Sequence, residues 1–330
     1  MTSTSPHASA PTRELPEPLR ARPVPRPGRW VSAAVVLVLV AMAVNGLVTN
    51  PNFRWDTVWL YLRDVVVVRG VGWTLVLTFG SMALAVVLAV TLAIMRRSDN
   101  PVMRWVAWAY IWFFRGTPIY TQLVFWGLIS VLYPRLSLGI PFGPEFFVFS
   151  TRDLITAFWA ALLGLALNEA AYLAEIVRAG LSSVDPGQTE AAKALGMKDG
   201  KIMRRIVLPQ AMRVIVPPTG NETISMLKTT SLVVAVPFTL DLMYATSAIG
   251  NRTFQPIPLL VVAALWYLLI TSILMVGQHF LERYYGRGFD GGSPAGRSGR
   301  GPSGSRKPRK QDLIRAAGTT KDDPFAEVTP

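Results

Sequence analysis

Long apolar runs recur along this chain, and they restrict the fold more than any other feature. Val31 to Val48, Val71 to Met95, Leu154 to Val177 and Leu259 to Phe280 are each long enough to cross a hydrocarbon layer about 30 Å thick as a helix. A backbone in lipid must satisfy its own amides and carbonyls, which leaves helices or a closed barrel, and continuous runs of this length select helices. Two further stretches read as interrupted spans. Val102 to Phe114 resumes as Ile119 to Tyr133 after a break at Arg115-Gly116-Thr117-Pro118, and Ile224 to Ala245 contains Pro237. The expected fold is therefore all-α, a polytopic membrane protein with about six transmembrane helices. The balance of the 330 residues agrees, being 51% apolar and only 16% charged, with a mean hydropathy of +0.36.

The segments between the spans define the remaining organisation. Residues 1–29, rich in Pro and Arg, read as a disordered tail, 30–50 as an N-terminal membrane helix, and 286–330 as a second disordered basic tail. Ala41-Met42-Ala43 has the form of a peptidase site, but the long polar leader favours an uncleaved anchor. Pro51 to Arg69 carries Trp55, Trp59 and Tyr61 among charges and reads as an interfacial helix. Thr74, Thr78, Gly80 and Ser81 are small positions at which membrane helices approach closely. Leu136 to Phe149, with Pro141 and Pro144, reads as a loop. Twenty-seven Lys and Arg fall on the side of both tails and the 185–210 segment, against six on the other. By the positive-inside rule both termini and that segment are cytoplasmic. The net charge of +13 is thus mainly a topology signal with some attraction for membrane lipid, and nothing in the basic tail resembles a nucleic-acid-binding module.

The polar, small-residue stretch at 185–210 stands apart from the spans. Asp185-Pro186-Gly187-Gln188 reads as a helix start, with Asp185 as cap, Pro186 in the first turn and Gln188 reaching back. Gly196 ends that helix in a left-handed conformation. A second short helix runs through Lys201, Arg204 and Arg205 until Pro209 interrupts it, so that two short helices meet at an angle.

The pattern E-A-A-x3-G-x9-I-x-L-P over this stretch resembles the cytoplasmic loop of permease subunits of ABC importers. Phe114-Arg115-Gly116-Thr117-Pro118, Ala171 to Arg178 and Leu227-Lys228-Thr229-Thr230-Ser231-Leu232 are similar to the branch that imports polar amino acids. The resemblance covers roughly Gly70 to Arg287 and implies a five-helix permease core at 70–285 preceded by one extra helix. It also implies that 185–210 is a coupling loop seated on a cytoplasmic ABC ATPase subunit, with Glu190, Ala191, Ala192, Gly196, Ile206, Leu208 and Pro209 carrying the contact. Other implied partners are an extracytoplasmic amino-acid-binding protein and a second permease copy or sister permease. Arg115, Gly116 and Pro118 take a structural role at the break.

Ionisable and polar groups inside spans are costly and mark the substrate pathway. Asn168, Glu169, Tyr172 and Glu175 share one region of the fourth span, and Asn221, Lys228, Thr230, Ser231 and Asp241 lie on or before the fifth. Glu175 also has Arg178 three residues on, so a structural ion pair is the alternative there. Catalysis is not expected of this chain. It has no cysteine, its two histidines, His7 and His279, are far apart, and no metal site is indicated. It also lacks a phosphate loop: Gly196-Met197-Lys198-Asp199-Gly200-Lys201-Ile202 has the wrong glycine spacing and Ile202 in place of a hydroxyl. ATP and magnesium would belong to the partner ATPase. A proton- or sodium-coupled secondary transporter using Glu169 and Asp241 is the competing reading.

Overall fold

The computed structural model describes residues 27–140 and 143–286, so most of both expected tails, at 1–26 and 287–330, lies outside the described residues. Within them the chain is helical apart from one hairpin. Four helices are long and apolar enough to cross a membrane: α1 (Pro27–Thr49), α3 (Val65–Arg96), α8 (Ala157–Ser182) and α13 (Pro256–Tyr285). Between α1 and α3 lies α2 (Trp55–Leu62). The helix α1 starts at Pro27 rather than at residue 30, and its described side chains are all exposed.

The second span begins six residues before the expected Val71. Asp64 supplies the start, its carboxylate accepting the Val66 amide at 2.8 Å, and the interfacial element is reduced to α2. Trp266 of α13 donates to the Leu62 carbonyl at 3.1 Å and pins α2 against the bundle. Thr74, Thr78 and Ser81 are fully buried, and the Ser81 hydroxyl donates to the Leu162 carbonyl of α8 at 3.3 Å. Here α3 and α8 pack along most of their length, with Leu77, Ala85, Ala89, Leu165 and Ala170 in the core between them.

The third span is divided as expected, into α4 (Pro101–Gly116) and α5 (Ile119–Gly127), followed by the short α6 (Ile129–Leu132). Residues 136–149 are not the irregular loop read from the sequence. Strands β1 (Arg135–Gly139) and β2 (Glu145–Ser150) pair antiparallel, Leu136 opposite Phe149 and Leu138 opposite Phe147. The turn residues masked the alternation of Leu136, Ser137 and Leu138, which is the strand signal. A short α7 (Thr151–Leu154) then leads into α8.

After α8 come α9 (Pro186–Ala194) and α10 (Asp199–Ile202), a π turn over Met203–Val207, and α11 (Leu208–Thr229). The expected stop at Pro209 does not occur. In the π turn the ladder widens, the Leu208 amide reaching the Met203 carbonyl, and Pro209 then sits in the first turn of α11, where a missing amide costs least. Pro217 and Pro218 lie inside α11. Their fixed φ suits a helix, and Gln278 of α13 donates to the Pro217 carbonyl at 2.8 Å, tying α13 to α11 at this point. A Cβ on Gly220 would collide with that Gln278 side chain, so the close crossing requires glycine.

The expected fifth span, 224–245, is not one helix. The helix α11 ends at Thr229, a 3-10 turn covers Thr230–Ala235, the chain is extended around Val236, and α12 (Leu242–Thr253) starts afresh. A second core, containing Val67, Leu227, Leu242, Leu259 and Val262, joins α3, α11, α12 and α13.

Candidate coupling segment and intramembrane polar site

The helix α9 is bounded by the residues read for that purpose. Asp185 caps it, accepting the Gly187 amide at 2.8 Å, and Gly196 stands at φ +75. The Gly196 amide reaches the Lys193 carbonyl at 2.9 Å and the Met197 amide the Ala192 carbonyl at 3.1 Å, the paired bonds of a Schellman motif. Gln188 does not reach back to the cap; its side-chain carbonyl accepts from the Gln210 amide of α11. That bond ties the short helix to the long one.

The coupling residues divide into two groups. Ala192, 3% exposed, packs with Ile202 and Val207 in a small core flanked by Leu181, Met197 and Ile206. Glu190, Ala191, Gly196, Leu208 and Pro209 are exposed. Glu190 lines a hollow of about 700 Å³ in which Arg97, Arg178, Lys193 and Asp199 stand among apolar residues such as Leu181 and Ile202. The result is a capped knuckle with its own core, presenting Glu190 and small residues outward, joined without a flexible linker to α11.

The break in the third span is closed by two amides. Pro118 has no N–H for the Phe114 carbonyl, and Gln122 and Asn168 both donate to that oxygen at 3.0 Å. Gln122 also donates to the Thr117 hydroxyl at 2.6 Å and accepts from Asn168 at 3.1 Å. Asn168 therefore serves the broken helix. Gly116 and Pro118 form the break itself. Arg115 closes α4, its guanidinium 5.2 Å from the centre of the Tyr172 ring, a cation–π arrangement. Tyr172 is 38% exposed.

Glu169 is different. It is 7% exposed, its Oε1 has no hydrogen-bond partner, and Glu222 of α11 lies close enough to act on it electrostatically. Glu175 takes the structural alternative, bridging Arg178 at 2.8 Å.

Asp241 is fully buried as the cap of α12, one carboxylate oxygen accepting from the Met243 and Tyr244 amides at 2.9 and 3.2 Å. Its other oxygen, Oδ1, is buried without a hydrogen-bond partner. Thr230 donates to the Leu227 carbonyl at 2.6 Å and Ser231 to the Lys228 carbonyl at 2.7 Å, both holding the 3-10 turn at the end of α11. Asn221 and Lys228 line one polar groove of about 430 Å³ with Gln278, His279 and Glu282.

Gln122, Glu222 and Gln278 were not singled out from the sequence. Each is a polar residue inside an apolar span, and Gln122 follows Pro118 by one helical turn, which is the signal that marks it. Among the described residues no cluster of three or more metal-ligating side chains occurs.

Broken spans tied by side-chain amides and a capped polar knuckle at one end describe a helical membrane transport subunit. Residues 81–286 match the model of the family described as binding-protein-dependent transport system inner membrane component, and the chain belongs to that family. It is 52% identical to the arginine transport system permease protein ArgU of Corynebacterium glutamicum, over 83% of this chain and 85% of that protein. It is 37% identical to the histidine/lysine/arginine/ornithine transport system permease protein HisM of Salmonella typhimurium, over 62% of this chain and 84% of that one. A crystal structure of an amino acid ABC transporter with histidines aligns with a TM-score of 0.55 at 33% identity, covering 66% of this chain and 94% of the other. The chain is thus an amino-acid ABC importer permease, a multi-pass membrane protein.

Proposed function

We infer that this permease moves an amino acid with a cationic side chain into the cytoplasm, driven by ATP hydrolysis on a separate ATPase subunit. The observation that carries the substrate class is Glu169, a carboxylate buried within the spans, without a hydrogen-bond partner at Oε1 and within electrostatic reach of a second acidic side chain, Glu222. Two acidic groups in a low-dielectric setting repel each other, and a guanidinium or ammonium group between them relieves both. The arginine and histidine/lysine/arginine/ornithine systems named for two of the relatives support the same class.

The knuckle supports the energy source. An ATPase subunit gripping Glu190, Ala191 and Gly196 would push on an element continuous with α11, and α11 would carry the displacement to the broken fifth span. A second permease copy or a sister permease completes the pathway, ATP and magnesium belong to the ATPase, and an extracytoplasmic binding protein delivers the substrate. Both termini lie in the cytoplasm in this arrangement, following the distribution of basic residues.

Uptake of radiolabelled arginine into proteoliposomes holding the assembled transporter tests the reading. Accumulation should require ATP on the side of the ATPase and be indifferent to protonophores and sodium ionophores. Accumulation driven by an ion gradient without ATP would replace it with secondary transport.

A further inference from the structure

The hairpin β1–β2 has one face made only of large apolar side chains and another that mixes polar groups with Val148, and Phe146, 63% exposed, is left unpaired at the bulge. The register places Leu136, Leu138, Phe147 and Phe149 on one face and Arg135, Ser137, Val148 and Ser150 on the other. Ser137 donates to Glu145 at 3.0 Å on the polar side, and the rings of Phe147 and Phe149 stack at 6.5 Å on the apolar side. Leu138 and Phe147 are 64% and 65% exposed, so no element of the described chain covers that face. An isolated two-stranded sheet is marginal in water, and a bare apolar face makes it more so.

Its position indicates what covers it. Only Tyr133 and Pro134 separate β1 from α6, α7 begins directly after β2, and the Thr151 amide donates to the Pro134 carbonyl at 3.1 Å, which locks the base of the hairpin to the span ends. The helix α8 then runs about 39 Å, at 1.5 Å per residue over its 26 residues, before the coupling segment, so the hairpin sits at the opposite membrane surface. Immediately before it Val131, Leu132 and Tyr133 are exposed, and this apolar belt continues onto the hairpin face without a polar gap other than Arg135. Arg135 and Arg152 flank the base, both exposed, and can reach phosphate groups at the headgroup level.

We propose that the hairpin is an interfacial anchor whose Leu136/Leu138/Phe147/Phe149 face lies in the bilayer surface, with phospholipid as its partner. The anchor fixes the outer ends of the third and fourth spans at a constant depth while their inner ends respond to the coupling segment.

The chain has no cysteine, which makes a site-directed test clean. Single variants Leu138→Cys, Phe147→Cys, Ser137→Cys and Val148→Cys are spin-labelled in the full-length permease, assembled with its ATPase in vesicles of phosphatidylglycerol and phosphatidylethanolamine. Collision with oxygen should exceed collision with an aqueous nickel complex at 138 and 147, and the order should reverse at 137 and 148. Equal aqueous access at all four positions overturns the proposal. So does spin–spin broadening at 138 and 147, which would make a second copy the occupant, or shielding that arises only after a purified binding protein is added. The double variant Phe147→Ser/Phe149→Ser provides a second readout: the Leu138 label should move towards water while the thermal transition of the assembled transporter stays in place.

Discussion

Asn168 on α8 donates to the carbonyl of Phe114 on α4, 3.0 Å away, and so satisfies the acceptor that Pro118 deprives of its helical partner. A broken helix in lipid depends on such substitutes, because no water is present to replace them. Asn168→Ala should lower stability by about 1–3 kcal/mol, the cost of leaving a buried polar group unpaired. Gln122→Ala should cost a similar amount, and the double variant less than the sum, since both amides serve one oxygen. Thermal unfolding of the four proteins in the same detergent measures the coupling; strict additivity would count against the shared role.

Gly180 of α8 faces Ile215 of α11 at a separation that admits no side chain, with the Ala211 carbonyl 3.2 Å from where a Cβ would stand. Gly180→Ala should destabilise the bundle by about 1–3 kcal/mol through overpacking. Ile215→Ala in the same chain should recover part of the loss, which a change in intrinsic helix propensity would not allow.

Asp241 separates two transport mechanisms. As a cap it can be replaced by Asn, whose side-chain oxygen also accepts from the first amides of a helix, whereas Ala should cost about 0.5–2 kcal/mol. Asp241→Asn should therefore retain both the melting temperature and arginine uptake. A proton carrier would be inactivated by the same change, so loss of uptake without loss of stability would revive the ion-coupled alternative.

Glu169→Gln should weaken uptake of arginine and lysine at least tenfold, about 1.4 kcal/mol, while co-purification with the ATPase subunit is unchanged. Wild-type uptake would remove Glu169 from the substrate path.

Glu190→Lys places a reversed charge on an exposed position of the knuckle, and Gly196→Asp places a side chain at φ +75. The first should leave the stability within about 0.5 kcal/mol of wild type, the usual range for surface changes. The second should cost about 1–2 kcal/mol for the left-handed backbone. Both should abolish the stimulation of ATP hydrolysis by loaded binding protein, and normal stimulation in either would count heavily against the coupling role.

The continuous spans and the knuckle were legible because their signals are local. Apolar length marks a membrane helix, and Asp185, Pro186 and Gly196 are punctuation that acts within one turn. What the sequence concealed depends on contacts between distant segments. Pro217 and Pro218 carry the local signature of a helix start, yet both lie inside α11, which α13 crosses closely enough for Gln278, sixty-one residues on, to donate to the Pro217 carbonyl. Asn168 and Asp241 look like substrate ligands because a polar side chain in an apolar run carries the same local signature whether it meets a solute or a backbone. Placement shows what each one touches: Asn168 closes a break fifty-four residues earlier and Asp241 caps its own helix through one oxygen, while Oδ1 of Asp241 and Oε1 of Glu169 are both left without a partner.

The π turn at Met203–Val207 holds one residue more than a regular helical path requires. Deleting a single residue there would let the segment rewind as ordinary helix and would turn everything before it by about 100° around the axis of α11. Gln188 would swing out of reach of Gln210, and Glu190 would point away from whatever grips it. The angular phase of the knuckle is therefore set by a residue count rather than by side-chain chemistry, and a one-residue deletion should uncouple the subunit while leaving its spans folded.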